Sequence, residues 1–373
     1  VALKASASQE RPAVSPGPVW LAATLVIALA VVLAATAYGR GTLPAETRDP
    51  GALVQWGYGV AQSVHNVAAA ATIGGLVFAA FIIPPTLKGG GRASRTRDAL
   101  QDPADEHPAF TRIMTLVSAA SITWTFSALA VLVLGFADIA GVPVSGSPEF
   151  SAGLVAYMTE LPSGSAWLSV VIIAAVVSTV VFGARSPGPL AAAALLAIGG
   201  LVPVILIGHA SSGTDHEQAT NSLGLHLVGV CLWFGGLIAL TAAGTTLGKD
   251  TAAVLRRFSS LALFAFILVS ASGVINASIR IPLPEGLASA YGVLVLAKTA
   301  AVIVLGIIGY LHRTRLIPAL DRNDGPGTGR LLWRFILAEL LIMGAVSGLA
   351  AALSRTPPPV GKKSAPLSPR RRS

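Results

Sequence analysis

Six histidines are spread over 373 residues, and four of them, His65, His209, His216 and His226, fall in or beside long apolar runs. Imidazole nitrogens suit copper, zinc and iron, and two or three of them from adjacent helices make a mononuclear metal site. Three of the four are tied together by the short segment "GHASSGTDHEQATNSLGLH". Hydrogen bonding between helices is the plainer role for the same side chains. Buried polar groups in a membrane are costly and face the bundle interior, which raises the functional reading without naming the ligand. Asp215 and Glu217 beside His216 either attract a cation or are simply solvated. His107 and His312 flank apolar runs on the basic side and read as surface residues.

Other groups in the apolar stretches carry chemistry as well. The lone cysteine, Cys231, sits five residues beyond His226, on a helix face turned by about 140°, so it is a weak partner for the same ion. Met114 and Met343 occur singly and read as core. Lys298 and Glu339 lie well inside consecutive apolar runs at depths that converge near the membrane middle. An ion pair between them is the least costly arrangement of both charges; ion or proton passage is the sharper reading. Asn276 either lines the same cavity or bonds between helices.

These residues need helices to position them. The chain is 53% hydrophobic and 12% charged, with a mean hydropathy of +0.72, against roughly 25% charged residues in a soluble protein. Apolar stretches long enough to cross a bilayer recur at 18–38, 54–84, 110–137, 165–184, 189–209, 221–244, 258–279, 288–311 and 331–353. All must be helical, because a lipid-facing backbone satisfies its own hydrogen bonds. The expected fold is therefore an all-α polytopic bundle of nine spans in the lipid bilayer. A cytoplasmic tail (1–17) precedes an N-terminal membrane region (18–199), a second membrane region (200–356) and a disordered basic tail (357–373). The first run is too long for a signal-peptide core and is kept as a span.

With the N-terminus inside, the cytoplasmic loops collect Lys88, Arg92, Arg185, Arg256, Arg257, Arg313 and other basic residues, while the opposite loops hold only Arg40, Arg48 and Arg280. That asymmetry sets the orientation. The basic tail disagrees with it and, being Pro/Ser-rich, carries little weight. The net charge of +9 belongs to these loops and not to a nucleic-acid surface.

One pattern occurs twice. Gly74 and Gly75 follow His65 by nine and ten residues, and Gly235 and Gly236 follow His226 by the same spacing. Each helix then leads to a basic loop and a span opening "RIMTL" or "RFSSL". This points to an internal duplication with both copies running the same way, and to glycine pairs that allow close helix approach. Trp233, between His226 and the second pair, reads as packing or as part of the site.

Several motifs in order carry a family likeness: "GHA" at 208–210, H-x6-W-x-G-G from His226 to Gly236, "RRFSSLAL" at 256–263, "SGVINASIR" at 272–280, "YGVLVLAKTA" at 291–300, "LIPAL" at 316–320, and Arg334 with Glu339. Together they resemble the CopD family of bacterial copper-resistance membrane proteins, most strongly over 200–356. The resemblance implies copper handling at the inner membrane, described as movement toward the cytoplasm, with His209 and His226 as the matching histidines. The chain also resembles the front half of actinobacterial proteins in which a CopD-like part precedes a CtaG-like oxidase-assembly part. With the chain stopping at "SRTPPPVGKKSAPLSPRRRS", that second part is expected to be absent, as is the family's periplasmic copper-binding partner domain, so a copper donor and any cytochrome oxidase assembly proteins are expected as separate partners.

The expected function is copper transport or handling, with His209, His226, His65 and His216 as ligands. No G-x4-G-K-[ST] loop and no nucleophile–base arrangement is visible, so neither an ATPase nor a catalytic enzyme is expected. Two alternatives stay open: a haem b protein ligated by His65 and His226, and a scaffold whose histidines only bond between helices.

Overall fold

The computed structural model describes residues 17–40, 50–83, 106–207, 216–281, 285–322 and 326–353. Both tails and the "GHASSGTD" connection with His209 and Asp215 lie outside them. Proline, which lacks the amide proton that a helix start leaves unbonded anyway, opens helix after helix: α3 (Pro108–Ala140), α4 (Pro148–Glu160), α5 (Pro162–Gly183) and α6 (Pro187–Gly199). The same residue inside an apolar run breaks it. Pro203 separates α6 from the short α7 (Val202–Ile207).

The remaining elements are α1 (Gly17–Arg40), α2 (Ala52–Val77), α8 (His216–Val230), α9 (Gly236–Ala243), α10 (Thr251–Arg280), α11 (Ala290–Leu311), α12 (Ile317–Asp321) and α13 (Pro326–Leu353). Three π-turns extend or join them: Phe78–Ile82 after α2, Cys231–Gly235 between α8 and α9, and His312–Leu316 after α11. No strand occurs among the described residues. Eight helical stretches there are long and apolar enough to cross a membrane, and α1 adds a shorter apolar run, Val19–Ala35. These match the nine expected spans. The helix α4 was not expected; Ser147 caps it by accepting from the Phe150 amide at 3.1 Å, and Phe150 and Tyr157 pack it onto Phe136.

Two spans form the centre. The most apolar window of Ala52–Ile82 is 72% buried and that of Glu217–Ala243 is 67% buried, against 22% for the windows in Thr246–Ile279 and Ala290–Leu320. The two central spans cross at the repeated glycines. A Cβ on Gly74 would stand 2.3 Å from the Gly235 carbonyl carbon, and one on Gly235 would stand 1.8 Å from the Ala70 carbonyl oxygen. The second glycine of each pair receives the span that follows it: Val117 of α3 lies over Gly75, and Phe258 of α10 lies over Gly236. Small residues thus permit the backbone contact that drives helix association in lipid. A similar seam joins the first and last spans, where Gly344 and Gly348 of α13 lie on Thr24 and Ala28 of α1.

Both histidines expected at the surface are buried, His107 at 2% and His312 at 9% exposure. His107 Nδ1 accepts the Ala109 amide at 3.1 Å and so caps α3. That leaves Nε2–H to donate to Asp250 Oδ2 at 3.3 Å, in the turn before α10. Arg257 donates from the start of α10 to the Ile82 carbonyl at the end of the first π-turn, at 3.2 Å. The loop end of the bundle therefore uses polar groups to tie the two halves together, and sequence position alone could not separate this from solvent exposure.

The glycine contact gives a direct prediction. Gly235→Ala forces backbone apart and should lower unfolding stability in detergent by about 1–3 kcal/mol, the usual scale of overpacking. Gly183→Ala, where a Cβ meets nothing within 4 Å, should leave the unfolding midpoint unchanged or slightly raised.

Candidate metal site

His226 sits in α8 at 8% exposure, facing α10. Its Nδ1 lies 3.2 Å from the Val269 carbonyl oxygen and 3.1 Å from Ser272 Oγ. A carbonyl only accepts, and the Ser272 hydroxyl proton goes to the Leu268 carbonyl at 2.6 Å. Nδ1 therefore carries the proton, and the Nε2 lone pair is the acceptor. Lys298 Nζ of α11 meets that lone pair at 3.2 Å. An imidazole lone pair inside an apolar bundle is thus occupied by a cationic group.

The network continues one turn further along. Ser222, four residues before His226, donates to the Ser272 carbonyl at 2.9 Å. Asn276, four residues after Ser272, donates from Nδ2 to Ser222 Oγ at 3.0 Å and to the Ser272 carbonyl at 2.9 Å. Because α8 and α10 run antiparallel, Ser222 faces Asn276 while His226 faces Ser272. Asn276 Oδ1 is buried with no hydrogen-bond partner among the described residues. Three helices thus share one polar level. Ser222 and Ser272 were missed in the sequence, yet "SLGLH" and "SGVIN" show the signal: a serine four residues before a polar residue, on one helix face.

The expected Lys298–Glu339 ion pair does not form. Glu339, 4% exposed, lies instead against His312, with Oε1 3.4 Å from Nδ1. Lys298 and His312 stand 14 residues apart in sequence, about 21 Å along a helix. The physical reason is register. The connection between α12 and α13 is short, so antiparallel neighbours pair by their distance from it. Glu339 is close to it and meets the 309–312 turn, while Lys298 is much farther away. Counting depth from apolar boundaries missed this, because α11 runs on through a π-turn into α12.

His65 occupies the corresponding place in α2 with different surroundings. It is 5% exposed, edge-on to Trp167 of α5 with ring centroids 5.0 Å apart and tilted to Trp124 of α3 at 6.3 Å. Its Nδ1 is buried with no hydrogen-bond partner among the described residues. Equivalent histidines are thus lined by aromatic rings in the first half and by polar groups in the second. His216 opens α8, but its side chain, like all of His209, lies outside the described residues. Among those residues no group of three or more His, Cys, Asp or Glu side chains is placed to hold a metal ion. Trp233 packs edge-on to Phe266 at 5.5 Å in the π-turn, and Gly235 and Gly236 serve the helix crossing. Cys231 is a free, buried thiol in the same π-turn. Nothing in this geometry supports the haem alternative.

Two family models match the chain. The model of the copper resistance protein D-like N-terminal domain covers residues 49–217, and that of copper resistance protein D covers residues 252–353. The chain is a CopD-like membrane protein. It is also similar to the inner membrane protein YebZ of Escherichia coli (strain K12), with 29% identity over 133 residues, which are 34% of this chain. The matched part spans 46% of that relative's length. No solved structure matches the chain. The family's description, copper resistance protein, links chains of this kind to copper. The polar level at His226 straddles the boundary between the two matched regions: Ser222 and His226 lie between them, and Ser272, Asn276 and Lys298 lie inside the second.

The His226–Lys298 contact should be measurable as a coupling. In a double-mutant cycle of His226→Ala and Lys298→Met, the summed single effects on unfolding free energy should differ from the double variant by about 0.5–3 kcal/mol, as for residues in one network. Strict additivity would mean that the two side chains do not interact.

Proposed function

We propose that this chain passes copper ions across the membrane, and that His226 is a ligand on the route. The observation that carries this reading is the cationic group already seated on the His226 lone pair. The site accepts positive charge at Nε2, and a copper ion, for which imidazole is a suitable donor, enters by displacing the Lys298 ammonium. The Val269 carbonyl and Ser272 hold the imidazole in the tautomer that turns the Nε2 lone pair to a cation, as supporting groups do at metal sites, and Ser222 and Asn276 brace the Ser272 backbone. His209 precedes α8 by seven residues and His216 opens it, about 15 Å along the helix from His226, so the two are proposed as ligands at a separate stop on the route. His65, with its unpartnered Nδ1, is a further proposed ligand.

The reading assigns no catalytic step. It includes a separate extracytoplasmic copper-binding protein as donor and places the N-terminus in the cytoplasm, on the strength of the basic loops. A link to cytochrome oxidase assembly proteins rests on the sequence resemblance to chains that carry a CtaG-like part.

The test is copper entry into proteoliposomes loaded with a copper-sensitive dye. His226→Ala should slow entry by about tenfold or more, the lower end of what is lost when even supporting groups of a metal site are removed. Lys298→Met should retain more copper per protein than wild type, because no ammonium has to leave. Entry that is the same in wild type and His226→Ala would sink the proposal.

A further inference from the structure

At the other end of α11 lies another buried imidazole that the route described so far does not use. His312 opens the π-turn His312–Leu316, and such turns recur at functional sites in helices. Its Nδ1 lies 3.4 Å from Glu339 Oε1 across the α11–α13 seam. Its Nε2 is buried and has no hydrogen-bond partner among the described residues. Phe335 stands edge-on to the ring at 5.9 Å.

A structural ion pair explains only half of this. It accounts for Nδ1 and the carboxylate but leaves the second nitrogen buried and unsatisfied, a state that native proteins avoid unless the atom has a use. The whole arrangement resembles a metal-ligating histidine: a carboxylate faces one nitrogen within ion-pair distance, and the other nitrogen is left for an ion. The carboxylate also supplies the negative charge that makes a cation tolerable within the apolar bundle.

We propose that His312 Nε2 is a second copper-ion ligand, positioned by Glu339, at the opposite end of the same helix that carries Lys298. The identity of the ion rests on the function proposed above; the site itself rests on its own geometry. One protein nitrogen leaves open positions at the ion, as a stop on a path requires, where binding must be firm enough to enter and loose enough to leave. Glu339 is a positioning residue here, acting through the imidazole.

The test is equilibrium dialysis of the purified full chain against Cu(I), supplied anaerobically as its acetonitrile complex, with bound copper counted. His312→Gln should bind one equivalent fewer than wild type while the His226-dependent equivalent remains. Glu339→Gln should keep the His312 equivalent but weaken it by about 10–100-fold, the usual cost of losing a second-shell carboxylate. If His312→Gln does not yield folded protein, the Glu339→Gln isotherm decides: overlay on wild type overturns the proposal. Copper lost only in His226→Ala, with His312→Gln unchanged, overturns the second site and leaves the first standing. A wild type that binds no copper overturns both.

Discussion

Backbone meets backbone where Gly74 faces Gly235, and the spans α3 and α10 pack onto the glycines beside that contact. In lipid, apolar side chains gain little by leaving their neighbours, so helices associate through close packing and through polar contacts. A glycine pair on each central span supplies the packing. The crossing fixes the depth of both helices relative to each other, and so the level of the histidines nine residues before each pair. It also brings α3 and α10 onto the second glycines, where Val117 and Phe258 fill the same role in the two halves. The frame is thus used twice, and the lining differs. Trp124 and Trp167 enclose His65, while Ser272, Asn276 and Lys298 reach toward the His226 level.

The polar groups obey the other constraint of the bilayer, which is that each must find a partner. His226 spends both nitrogens, one on the Val269 carbonyl and Ser272, the other on Lys298. Glu339 finds His312, and His107 finds both the Ala109 amide and Asp250. Atoms left without partners among the described residues, such as Asn276 Oδ1, His65 Nδ1 and His312 Nε2, therefore stand out. His65 and His312 are buried residues, and Asn276 lies at the seam between α8 and α10. Helix α11 links two of these places, since Lys298 near its start meets His226 and His312 follows its end.

Much of the fold was legible in the residues. Apolar runs gave the spans because length and composition are what a bilayer requires. The spacing His-x8-Gly-Gly, seen twice, marked the helix crossing, because glycine is the residue that removes the obstacle to backbone approach. The helix α4 was not legible, since its start signal, Ser147 before Pro148, lies in a connection where no apolar run draws attention. The site was legible in part. His226 and Asn276 were marked by being polar within apolar sequence, but Ser222 and Ser272 were hidden by their small size and commonness.

Partner choice is where sequence reasoning failed, and the failure has one cause. Depth along a span can be counted from its ends, but the pairing of two spans depends on register and on which faces meet. Lys298 and Glu339 were expected together because their counted depths agreed; a short connection and a π-turn separated them and gave Glu339 to His312. His107 and His312 were assigned to the surface because they stand beside basic loops, and packing buried both. The sequence by itself determined a helical membrane bundle, its glycine crossing and the residues able to hold a cation, because these depend on composition and spacing within one helix. Only the tertiary structure decided that His226 meets Lys298 and Glu339 meets His312, because contacts between helices depend on register and rotation that no single helix encodes.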